Sequence, residues 1–555
     1  MNRRKGETAT GRLFCILFAR SPVFPSMRPL AVSSRITVAI LIAALGAAGC
    51  QKKDPRAEFT FENGTDVQTL DPALMTGQPE HRIANAIFEG LTARSPNGAE
   101  IVPGVAKSWE VSPDGLRYTF HLRDCAWSDG TPVTAGDFIY SWRRVLDPSM
   151  GAAYYAYQLF YIRGAEEFNE GKLKDFSQVG VRAPDARTLA VELKAPTPFF
   201  LYLTSFYTLF PVNRACVEKH GELWTRPGNI VGNGPFLLTE WIASRRIRLA
   251  RNPRYWDRGG VRLATIDALP TENESTAFNM YMTGEADWVD GAGIPLHLID
   301  LLRLRPDFHK TTILVTYFYR FNVTRPPTND PRVRKALDLA ADKQRIVDKI
   351  LRAGQMPAAT LVPPSMPRYR PPEGLAYNPA EARRLLAEAG YPGGRGFPRV
   401  SILFNTSEAH KQIAVEMQAI WKENLGIRVE LENQEWGTYL NTESALDYWI
   451  SRAGWVADYP DPNTFLDMFV TGGGNNRTGW GSRRYDGLIA AAGRERDEGR
   501  RMELFREAER ILVVDEMPIM PIYFYVSLNL YDAGRIGGIY PNPLDEHPLK
   551  YVFIK

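Results

Sequence analysis

The chain is 555 residues long, 44% hydrophobic and 23% charged, which supplies a large core for two or three domains and excludes an intrinsically disordered protein. Its formal charge of +4 belongs to the first 49 residues: they hold seven Lys/Arg and one Asp/Glu, leaving 60 basic and 62 acidic residues beyond them. A body of net charge −2 offers no footprint for nucleic acid.

In chain order the leader comes first. Met27, Arg28 and Arg35 precede an apolar run from Ile36 to Leu45, and Gly46, Ala47, Ala48 and Gly49 lead to Cys50. A basic start, a short apolar middle and a small-residue end predict an export signal, with Met27 as an alternative start. The run is short for a bilayer, and no other window approaches the roughly 18 apolar residues of a membrane helix. Cys50 after small residues resembles the bacterial lipoprotein box, in which the thiol is acylated and becomes the new N-terminus. Ala47 stands where that box usually has Leu, so a plain cleaved signal is the alternative. Either way the body is expected in the periplasm or cell envelope, lipid-anchored if Cys50 is acylated.

Strands are predicted at "LRYTFHL", where Tyr118, Phe120 and Leu122 share a face, and at "RTLAVEL", where Leu189, Val191 and Leu193 do. The turn "SPDG" introduces the first. A helix is predicted after Thr134, with Asp137 completing a capping box, Phe138, Trp142 and Val145 on one face, and a stop at Asp147-Pro148. A second begins at Asn378-Pro379 and closes at Gly390. Residues 357–374 are Pro-rich and predict a long surface crossing. Interleaved strands and helices give an α/β or mixed α+β class.

Chemistry is sparse. Cys125 and Cys216, the two cysteines of the body, are either a disulfide or two buried small residues. No CxxC, metal-ligand spacing, GxSxG, HExxH or P-loop occurs in the sequence, so neither a cofactor, a metal nor a hydrolase is expected. Asp458, in "SRAGWVADYPDP", either caps the turn that follows it or faces a ligand.

The stretches "NGTDVQTLDPALMTGQPEHRIANAIFEGL", "PGVAKSWEVSPDGLRYTFHLRDCAWSDGTPVTAGDFIYSWRRVLDP", "NQEWGTYL" and "RAGWVADYPDPNTFLDMF" resemble the periplasmic oligopeptide-binding proteins of ABC importers, extracellular solute-binding protein family 5. The likeness runs in order from about Phe59 to the C-terminus. It implies a two-lobed periplasmic binding protein of type II with an additional domain: lobe I from residues 51–89, 214–314 and 526–555, the additional domain from 90–213, and lobe II from 315–525. It also implies a monomer that closes on short peptides and delivers them to the permease subunits of an ABC transporter. The same scaffold carries dipeptides, murein peptides or metal chelates in relatives, so fold alone does not name the ligand.

By the same resemblance Asp458 meets the ligand's α-ammonium, a buried cation that needs a fixed anion. Backbone groups near Gly454 and Val456 pair with the ligand main chain, as in strand addition. Trp455, Trp436 and Tyr154 line side-chain pockets, Arg452 lies under the ligand, His410 sits near its carboxylate, and Tyr525 is near the hinge. Taken alone, each aromatic is better read as part of an ordinary core. Two positions depart from the family pattern: Leu351, beside Arg352, and Glu443 stand where relatives that take longer peptides place basic residues.

Overall fold

The structure is a computed structural model and describes residues 55–98, 100–152 and 155–555. The export signal, Cys50 and Tyr154 lie outside the described residues.

Strand β1 (Phe59–Glu62) is followed by a small antiparallel sheet of β2 (Ala106–Val111), β3 (Arg117–Leu122), β4 (Val181–Asp185) and β5 (Thr188–Glu192), in the order β2-β3-β5-β4. Tyr118 lies opposite Val191 and Phe120 opposite Leu189. All four are buried with Leu122 and Leu193, so the alternation predicted for both strands marks the face that packs. Gly115, at φ +71°, closes the turn into β3 by donating to Ser112 O at 2.8 Å. Helix α1 (Ala135–Leu146) packs near β4. Thr134 and Asp137 form its capping box, Phe138, Trp142 and Val145 are buried, and the helix ends at Asp147.

The chain then enters a large sheet through β6 (Phe236–Ile242), β7 (Arg246–Arg251), β8 (Thr265–Leu269) and β9 (Trp288–Asp290). It continues with β10 (Phe308–Phe321), β11 (Val400–Asn405), β12 (Val429–Gln434), β13 (Ile450–Val456) and β14 (Ile519–Tyr531). Strand order is β12-β11-β13-β10-β14-β9-β1-β8-β7-β6, with Met356–Pro357 pairing β14 off this path. Helix α2 (Glu408–Leu425) crosses from β11 to its parallel neighbour β12, and α3 (Trp436–Ser444) follows β12.

Two strands hold the halves of this sheet together. β10 and β14 are 14 and 13 residues long and run from one half into the other. Their ladder breaks in the middle: Thr312 pairs with Val526 and Thr316 with Phe524, so Ile313, Leu314 and Val315 stand against Tyr525 alone. Such an irregularity bends a strand pair and weakens it locally. On one side of β10 and β13, Tyr317 and Tyr319 join Ile413, Met417 and Trp421 of α2 in one core. On the other, Phe318, Ala453 and Trp455 join the core that contains Phe120, Trp142 and Phe200.

Two expectations need correction or resolution. Residues 357–374 do form a loop, but not a surface crossing: Leu361, Val362, Met366 and Tyr369 are buried. Prolines leave few donors to satisfy, and Glu509 meets them, accepting from Leu361 N at 2.8 Å, Val362 N at 2.7 Å and Tyr369 Oη at 2.6 Å. Cys125 and Cys216 are both free thiols; burial pushes the Cys125 thiol up to about 12. Among the described residues no helix is long and apolar enough to cross a membrane, and no group of three or more His, Cys, Asp or Glu is placed to hold a metal.

Candidate functional site

Strand β13 is paired on one edge and open on the other. Along β10 it is matched from Phe321↔Ile450 to Val315↔Val456. Toward β11 it is matched only at Ile402↔Ile450 and Leu403↔Ser451, so from Arg452 onward that edge carries no strand. Ala457 N donates to Leu314 O at 2.9 Å. Antiparallel ladders alternate, so Ala453 and Trp455 bond toward β10 while Gly454 and Val456 direct their N–H and C=O groups to the open edge. Arg452 O, the first carbonyl on that edge, accepts from the Tyr439 hydroxyl of α3.

At the far end of this edge sits Asp458, 8% exposed. Its backbone is pinned: Asp458 N donates to Thr464 Oγ1 at 3.1 Å, and Arg94 Nη2 donates to Asp458 O at 2.6 Å. Its carboxylate accepts from Gln158 Nε2 at 3.0 Å. Among the described residues no Lys, Arg or His lies within ion-pair distance of that carboxylate; Arg94 instead approaches Glu546 at 3.4 Å. Burial and the nearby Asp467 push the Asp458 pKa well above the usual carboxylate value. Glu546 adds to this, and Arg94 and Gln158 oppose it. An acid so placed gains from a cation that the chain itself does not supply.

The segment after Asp458 is locked to residues 156–199. Phe199 stacks on Tyr459 with centroids 4.2 Å apart, Tyr161 Oη donates to Asp467 Oδ2 at 2.6 Å, and Asn463 Nδ2 donates to the Tyr161 and Tyr459 hydroxyls at 2.7 and 3.0 Å. The turn-capping alternative for Asp458 does not describe its side chain, which bonds Gln158 rather than the turn.

An arginine lies at the other end. The Arg452 guanidinium donates to Asn405 Oδ1 and to Tyr525 Oη, each at 3.2 Å, and lies 5.1 Å from the Tyr317 ring centre. It too has no carboxylate within ion-pair distance among the described residues. His410, on the first turn of α2, is 5.6 Å from the Tyr317 ring. Burial and then the Arg452 charge hold its pKa well below the usual histidine value, so the imidazole is neutral. Trp436 is half-buried and stacks on Tyr439. Trp455 is buried against Tyr155 and donates to Thr464 Oγ1 at 3.3 Å. The structure therefore brings Arg452, His410 and Tyr525 together, sets Gly454 and Val456 on the edge between them and Asp458, and turns Trp455 into the core behind.

The two departures are both accounted for locally. Glu443, 2% exposed, is bound by Arg320 Nη1 at 2.9 and 2.8 Å, by Arg477 Nη1 at 3.3 Å and by Ser451 Oγ at 2.7 Å. Burial alone would raise its pKa, but the two arginines carry it below the usual value. Leu351 is buried, and Arg352 is engaged by Asp300 at 2.6 Å and Leu296 O at 2.7 Å. Sequence reasoning missed Gln158, Tyr161 and Tyr317, because what makes them part of the site is contact with residues 93 to 306 positions away.

Residues 100–477 match the family model for bacterial extracellular solute-binding proteins, family 5. The chain is 39% identical over 502 residues to the periplasmic oligopeptide-binding protein OppA of Escherichia coli, covering 89% of this chain and 91% of the relative. It superimposes with a TM-score of 0.86 on Haemophilus influenzae OppA in complex with RPPGFSPFR, at 34% identity over 90% of this chain and 99% of that one. The murein tripeptide-binding protein MppA of Escherichia coli matches with a TM-score of 0.85, 35% identity and coverages of 90% and 99%. An unliganded open form of MppA, at 36% identity and coverages of 90% and 98%, matches with only 0.63. The chain belongs to the bacterial extracellular solute-binding proteins, family 5.

Proposed function

We propose that the protein captures short peptides through their main chain between two closing lobes and delivers them to the permease of an ABC importer. The observation that carries this is the pairing of an open strand edge with a buried carboxylate at its end. The peptide lies along β13, exchanging hydrogen bonds with Gly454 and Val456, and its α-ammonium enters against Asp458. Arg452, with His410 and Tyr525 beside it, supplies the positive field at the other end. Main-chain bonds give affinity that ignores side-chain identity, and Trp436 borders the side-chain space. Trp455 supports the strand from behind.

Lobe I comprises residues 51–89, 214–314 and 526–555, lobe II residues 315–525, and the additional domain residues 90–213. The break in the β10–β14 ladder falls at the junction of these lobes and is the hinge. The better superposition on MppA than on its unliganded open form supports reading the described arrangement as the closed one. A monomer in the periplasm, tethered through acylated Cys50, completes the assignment.

Calorimetric titration tests it. A tripeptide with a free amino end binds, and its N-acetylated form, which has lost the charge, binds at least about tenfold more weakly, the worth of one charge-assisted hydrogen bond. Equal affinity for the two forms removes the ammonium from the account.

A further inference from the structure

Gln158 is the one side chain among the described residues that hydrogen-bonds the Asp458 carboxylate. It is 1% exposed. Its nitrogen is the donor, to Asp458 Oδ2 at 3.0 Å, the direction that an ionised carboxylate requires. The oxygen of the same amide then has nothing to accept from: Oε1 is buried with no partner among the described residues. Attached to the same carbon as the nitrogen, it lies within about 5 Å of the carboxylate. An unmet buried acceptor destabilises the protein, and one held beside a candidate cation site has an evident complement.

Resting on the peptide reading above, we propose that Gln158 is a ligand-binding residue whose Oε1 accepts one N–H of the peptide's α-ammonium while Asp458 accepts another. The two acceptors then read different properties. Asp458 responds to charge, whereas Gln158 responds to the number of N–H donors. A primary ammonium has three donors, a secondary one two and a tertiary one only one, so two acceptors select primary over N,N-dimethylated amino ends although both carry the same charge. A site built to bond a donor rejects ligands that lack it more strongly than an apolar site can.

The rival role is purely positional, with Nε2 fixing the orientation of the Asp458 carboxylate. Two variants separate the roles. Gln158→Met removes both amide atoms at similar length, and Gln158→Glu keeps an acceptor oxygen while losing the donor. Alanine peptides of three to five residues and their N,N-dimethylated counterparts are titrated calorimetrically against the wild-type chain and both variants. The wild type prefers the primary amine by about tenfold, and Gln158→Met binds it about fivefold more weakly and discriminates less than about twofold. Gln158→Glu retains the preference. A Gln158→Met protein that weakens both peptides equally and keeps the preference overturns the proposal, as does a wild type without preference. Should Gln158→Met not fold, loss of the preference in Gln158→Glu overturns it. If no alanine peptide binds the wild type, the peptide reading itself fails, a different result from binding without discrimination.

Discussion

On the proposed reading, Asp458 trades stability for binding. Its pKa is raised in the folded protein by burial and by Asp467, so the ionised form costs the empty protein free energy that a bound cation returns. Asp458→Asn removes that cost together with the anion. It is expected to weaken binding of free-amino peptides by about 1.5–3 kcal/mol, the scale of a charged hydrogen bond. The empty variant is expected to melt at or above the wild-type temperature at pH 7 to 8, checked by calorimetry and thermal denaturation. A variant that loses both stability and binding would make Asp458 a structural acid. Asp458 was legible in the sequence because its flanks, Gly454-Trp455 before and Tyr459-Pro460 after, are local. Gln158 was not, since its partner lies 300 residues away and a glutamine in "YYAYQLF" carries no signal of burial.

In the proposed reading, strand β13 binds peptide through an edge that its neighbour leaves unpaired. Exposed edges ordinarily invite association, and here the edge is bracketed by the Tyr439 bond at Arg452 O and the Arg94 bond at Asp458 O. Val456 N–H points away from β10, so Val456→Pro removes a donor offered to the ligand without breaking the β10 ladder. Peptide affinity is expected to fall about fivefold or more, with an unchanged unfolding transition; equal affinity would place the ligand off this edge. Elements with a half-exposed face, such as β3, β5 and α1, were readable from alternation and capping. β10 was not: its residues from Ile313 to Phe321 are all buried, and a strand covered on both faces shows no alternation. The loop over residues 357–374 was read as exposed because proline content reports fixed φ and missing backbone donors and is blind to Leu361 and Tyr369 finding Glu509 beneath them.

Charge burial gives the whole molecule a recognisable pH response. Burial raises Glu62 to about 8 and Glu274, Asp467 and Glu509 each to about 7. These values exceed the unfolded carboxyl value near 4. Stability from such groups is fully present below the unfolded pKa and is lost as pH rises through the folded one. Glu443 and Asp545, whose pKa values are lowered, act in the opposite sense and lose their contribution as pH falls below about 4. The melting temperature of the peptide-free protein is therefore expected to rise by several degrees between pH 8 and pH 6, and an acid-side decline is expected only below about pH 4. A flat profile from pH 6 to 8 would mean these carboxyls reach water. The two-lobed class was legible from the ordered likeness along the chain, whereas the proposed hinge rests on the register of β10 against β14. The most direct measurement of the central claim is a crystal structure of the protein with a bound peptide. The account predicts the ligand nitrogen within 3.2 Å of an Asp458 carboxylate oxygen, as charge-assisted hydrogen bonds require, and its main chain paired with Gly454 and Val456. A peptide held elsewhere, with Asp458 bonded to Gln158 alone, would contradict it.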